Sequence, residues 1–67
     1  MKEVISKLIV ERLELVDKTQ RLHDFIVKYN QLFTHEYVEL LNKQHSIMID
    51  YVNVLNDRIA LLKGEKT

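Results

Sequence analysis

YVELLNKQHSIMIDYVNVLNDRIALL, residues 37–62, repeats every seven positions in four parallel registers. Leu41, Met48, Leu55 and Leu62 form one apolar row. Val38, His45, Val52 and Ile59 form a second, and Leu40, Ile47, Val54 and Leu61 a third. Between them runs Tyr37, Gln44, Tyr51 and Arg58. Residues seven apart lie nearly above one another on an α-helix, so each row is a surface stripe. Three apolar stripes make a face too wide for one partner helix to cover. A polar stripe set inside that face must end in a subunit interface, a hydrogen-bond network or a ligand.

Upstream, the same period continues. Leu8, Leu15, Leu22 and Tyr29 sit seven apart, with Ile5 and Ile26, and Val4 and Phe25, on neighbouring rows. Pro is absent and the only Gly is Gly64, so nothing breaks a helix over residues 2–29. A helix of that length spans about 42 Å. Residues 30–34 are the one candidate turn. Thr34 is placed to cap a second helix by accepting from the backbone N–H of residue 36 or 37. Glu36 falls where the helix dipole favours a carboxylate. Leu32 and Phe33 are expected to close the end of the hairpin. The second helix runs over residues 35–63, and Gly64 sits where a left-handed cap is common. Glu65, Lys66 and Thr67 are expected to fray. The spacing thus predicts an all-α chain, an antiparallel two-helix hairpin that oligomerises into a helical bundle. Residues whose numbers sum to about 64 to 66 should face each other, with Leu8 in the region of Leu55, Leu15 in that of Met48 to Tyr51, and Leu22 in that of Leu41.

Length and composition narrow the function classes. Sixty-seven residues make one domain, residues 1–67. A chain this short rarely stabilises itself by its own core, and with no Cys it has no disulfide or thiolate site. His23, His35 and His45 are too scattered for a zinc set, so no metal and no cofactor is expected. Oligomerisation is the remaining staple. Ten acidic and ten basic residues give zero net charge, which argues against binding DNA or RNA polymers. One local anion pocket remains compatible with it. No 18-residue apolar run is present and the N-terminus lacks a signal peptide's apolar core, so no membrane partner is expected and the default location is the cytosol.

No nucleophile elbow, phosphate loop, dinucleotide fingerprint or metal-binding helix pair occurs, so an enzyme is not expected. Polar interruptions carry the remaining chemistry. On the first helix the rows Ile5, Arg12, Thr19, Ile26 and Val4, Glu11, Lys18, Phe25 are apolar at their ends and polar in their middles. One reading is an ion-pair seam, with Arg12 or Lys18 meeting Glu11, Glu14 or Asp17 and fixing register. The other is an anion pocket, in which Arg forks onto phosphate, Lys supplies a point charge and Thr a hydroxyl. On the second helix Tyr51 could stack on a base or bond a phosphate, and Gln44 could read a base edge. Each equally fits an interface. Arg58 lies near the level of Leu8, too far along the hairpin to share a pocket with Lys18 unless a second protomer supplies it. His45, on an apolar row, reads as a packed core histidine.

Lys18, Leu22, Phe25-Ile26, Phe33, Leu40-Leu41, Gln44, Met48, Tyr51, Leu55 and Arg58-Ile59 resemble the pattern of small helical-hairpin proteins of tailed bacteriophages, including crAss-like phages. This group is similar to the hairpin domain of phage sponge proteins that block CBASS and Thoeris defence. The likeness spans about residues 11–62. It departs after the turn, where Phe33-Thr34-His35-Glu36 replaces a Leu-Ser acidic cap with a chemically similar one. The resemblance implies a homo-oligomer in the host bacterial cytosol. It would sequester a cyclic oligonucleotide or ADP-ribose-derived immune signal without cleaving it, using basic and aromatic groups between protomers. Lys18, Gln44, Tyr51 and Arg58 match the pattern; Arg12 and Thr19 come from the polar seam. The alternatives are an oligomeric helical adaptor or inhibitor of a host defence protein, and a purely structural coiled-coil module.

Overall fold

The computed structural model describes residues 1–64. The fraying expected of Glu65, Lys66 and Thr67 lies outside the described residues. Helix α1 spans Lys2–Tyr29, one 3-10 turn covers Asn30–Leu32, and helix α2 spans His35–Lys63. The two helices pack side by side as an antiparallel hairpin, with no strand among the described residues. The result is a flat rod of 46 × 20 × 12 Å, about the length that 28 residues of α-helix require.

Local chemistry sets the helix ends. The Tyr37 backbone N–H donates to Thr34 Oγ1 at 3.2 Å, which satisfies one of the orphan donors of α2. Glu36 sits in that first turn. At the far end Gly64 takes φ 75°, and its N–H reaches the Ala60 and Leu61 carbonyls. No atom lies within 4 Å of where a Cβ would stand there, so Gly is favoured by backbone conformation alone.

The hairpin tip is closed by aromatic rings. Phe33 stacks obliquely on Tyr37 with centroids 4.8 Å apart and approaches Phe25 at 5.8 Å, and Phe25 meets Tyr29 at 5.1 Å. Leu32 does not share this role and is 75% exposed. Phe33, extended at the residue before the cap, turns its ring back onto both helices. Leu32 ends the tight turn on its outer side.

Between the helices, Leu8, Leu55 and Ile59 are buried together, with Ile5, Ile9 and Leu15 packed against them. Leu8 therefore meets the region of Leu55 as expected, within one residue of the facing rule's sum. Leu41 is buried nearer the turn. The row Leu40, Ile47, Val54 and Leu61 is left in solvent at 63%, 58%, 52% and 60% exposure. One partner helix covers two of the three apolar stripes of α2. The third has nothing on it within the hairpin.

Candidate functional site

Two broad faces of the rod carry the polar residues that the sequence singles out, and α1 and α2 each contribute a stripe to both. On one face Tyr51 of α2 donates its hydroxyl to Glu11 Oε2 of α1. Glu11 shares its row with Val4, Lys18 and Phe25, and Tyr51 shares its row with Tyr37, Gln44 and Arg58, so all of these line the same side. The hydrogen bond to Glu11, then partial desolvation, then the Glu11 charge raise the Tyr51 pKa above its ordinary value, while Arg58 opposes them. The phenol's proton is directed to the Glu11 carboxylate. Arg58 stands at the open end, beside an apolar hollow of about 340 Å³ lined with Met1, Val4, Leu61 and Leu62.

The opposite face holds Arg12, whose Nη1 donates to Asn56 Oδ1 at 3.0 Å, and beyond it a shallow groove of about 360 Å³. Val16, Thr19, Gln20 and His23 of α1 and His45, Ile49 and Val52 of α2 line the groove. Its polar groups are largely engaged. The Thr19 hydroxyl, in a residue only 5% exposed, donates to the Leu15 carbonyl at 2.7 Å. Gln20 Nε2 donates to Asp24 Oδ1 at 3.0 Å, and the His23 and His45 rings lie 5.7 Å apart at 43°.

The six candidate ligand residues are therefore divided. Lys18, Gln44, Tyr51 and Arg58 share one face. Arg12 and Thr19 belong to the other, and Thr19 keeps its hydroxyl on its own helix, the usual fate of a mid-helix Thr. Lys18 is exposed rather than set in a buried seam, because the Val4–Phe25 row runs along the rim of the contact. Of the ion pairs available to a seam, Asp17 takes Arg21 at 2.8 Å and Arg12 takes the neutral Asn56. Gln44 and Arg58 are 14 positions apart, about 21 Å along α2, so one hairpin cannot close all four groups around a small ligand.

Three features escaped the sequence reading: the Tyr51–Glu11 bond, the Arg12–Asn56 bond and the His23–His45 groove. The facing rule reached only their neighbourhood, since their numbers sum to 62, 68 and 68, two outside the expected 64 to 66. Choosing them over their neighbours needs the rotation of each helix about its axis, which periodicity leaves free. His45 is half-buried at the groove rather than packed in the core. Among the described residues no group of three or more His, Asp or Glu could hold a metal ion. No described helix is long and apolar enough to cross a membrane.

Residues 2–61 match the family model described as Sequestin. No curated protein and no solved structure matches the chain.

Proposed function

This chain belongs to the Sequestin family, and we propose that it works as a sponge that binds a cyclic-nucleotide-type immune signal and holds it without cleaving it. The family match over residues 2–61, the whole of the hairpin up to its last turn, is the observation that carries the reading. The family's name denotes sequestration, a binding role rather than a catalytic one. The phage origin, the role against bacterial defence and the site in the host cytosol extend that reading through the hairpin pattern of residues 11–62.

The face bearing Lys18, Gln44, Tyr51 and Arg58 is the proposed ligand surface. Lys and Arg supply charge for phosphate, Tyr51 a ring for a base, and Gln44 an amide for a base edge. Glu11 holds the Tyr51 hydroxyl in the free hairpin, so stacking, which leaves that bond intact, is the role open to Tyr51. Arg12 and Thr19 on the opposite face stand outside this surface.

The test is direct. The protein is incubated with a panel of cyclic oligonucleotides and ADP-ribose derivatives, freed of unbound ligand, and heated. Release of one member, chemically intact, is the expected result. If no member is retained, the reading fails. The exposed apolar row of α2 then favours the second reading, an oligomeric helical adaptor or inhibitor that binds a host defence protein.

A further inference from the structure

We infer that the Leu40–Ile47–Val54–Leu61 stripe docks against the same stripe of a second copy, antiparallel, about a two-fold axis between Ile47 and Val54. Four apolar residues at equal spacing are self-complementary under such an axis. Leu40 meets the partner's Leu61, and Ile47 meets the partner's Val54. All four are more than half exposed, and none has a neighbour in the hairpin that covers it.

Shape and charge each support this occupant. Hollows flank both ends of the stripe. One, beside Leu40, is edged by Glu36, Glu39 and Lys43. The other, beside Leu61, is edged by Arg58 and apolar groups. Antiparallel docking seats each Leu40 toward the partner's apolar hollow. It sets the acidic start of α2, Glu36 and Glu39, toward the end of the partner's α2 that carries the partner's Arg58. Lys43 falls level with the partner's Asp57. A parallel pair would stack acid on acid, base on base and two helix dipoles in the same sense. The arrangement has one like-charge contact, Asp50 with the partner's Asp50, and both are exposed.

This register also brings Gln44 level with the partner's Arg58. Lys18 lies at the same height in the hairpin, so the two basic groups that one chain holds apart meet across the interface. The docking does not depend on any ligand. Only this last consequence rests on the sequestration reading.

The experiment uses the absence of native cysteine. Ile47→Cys and Val54→Cys proteins are oxidised separately and then as a mixture. A disulfide needs Cα atoms within about 7 Å, and like residues in the antiparallel pair are offset by about 10 Å along the axis. The expected result is a covalent dimer in the mixture and little in either protein alone. Strong cross-linking of each variant with itself would overturn the register in favour of a parallel pair. Absence of cross-linking in all three, with sedimentation of the parent chain as a monomer, would overturn the docking itself. Ile47→Glu should sediment as a smaller species than the parent. Both cysteine variants are checked for helicity by circular dichroism, so that misfolding is not read as lost docking. A cross-linked dimer that retains no nucleotide would leave the docking standing and reject the sponge.

Discussion

Tyr51 and Glu11, 40 residues apart in the chain, are joined by a hydrogen bond from the phenol to the carboxylate across the two helices. It ties the middle of α2 to α1 on the face proposed for ligand. It also raises the tyrosine's pKa, with the Glu11 hydrogen bond the largest cause. A group whose folded pKa exceeds its unfolded value lends stability that is complete below the unfolded value and is lost as pH rises through the folded one. For a tyrosine that window opens at about pH 10. Wild-type protein should therefore lose more stability on passing into alkali than Tyr51→Phe does, and Glu11→Gln should lower the Tyr51 pKa. Urea unfolding over a pH series and titration of the Tyr51 ring by NMR measure the two effects. Parallel stability curves for wild type and Tyr51→Phe would dismiss the bond.

The cap of α2 predicts a second outcome. Thr34→Ala removes the acceptor of the Tyr37 N–H and should cost about 0.5–2 kcal/mol, whereas Thr34→Asp should keep most of that stability. Denaturant unfolding at fixed protein concentration reads both. Equal loss in the two variants would mean that the oxygen at this position does not cap.

Burial separates two leucines that the sequence does not. Leu55 is fully buried, so Leu55→Ala should cost about 2–5 kcal/mol through lost transfer energy and the cavity left behind. Leu32→Ala, at a 75% exposed tip, should stay within about 0.5 kcal/mol of wild type. Thermal unfolding of both variants compares them on one scale, and a costly Leu32→Ala would show that the tip is covered in the assembled protein.

Ligand binding should depend on the shared face. Lys18→Ala or Arg58→Ala removes a charge-assisted bond worth about 1.5–3 kcal/mol, a weakening of roughly ten- to a hundred-fold. Arg12→Ala, on the opposite face, should cost stability through Asn56 and leave affinity nearly unchanged. Calorimetry with the nucleotide recovered from the heated protein measures each. A mixture of Lys18→Ala and Arg58→Ala chains should regain tight sites that neither has alone, because one site of each mixed dimer keeps both groups. No recovery on mixing would place Lys18 and Arg58 in separate roles.

The sequence by itself determined the two helices and the turn between them. Heptad rows without a Pro or an internal Gly leave the backbone no better way to bury alternate apolar groups than helix, and Thr34 and Gly64 satisfy the ends of α2 through local bonds. It also made the wide apolar face of α2 visible, since row membership depends only on spacing. The tertiary structure decided which rows are covered. Periodicity gives Leu55 and Val54 the same apolar label, yet the rotation of α2 against α1 buries the first and leaves the second in water. The same rotation gave Tyr51 to Glu11, gave Arg12 to Asn56, and sent the six candidate residues to two faces. Such pairings are set by packing summed over both helices, a long-range quantity that no local stretch of this chain contains.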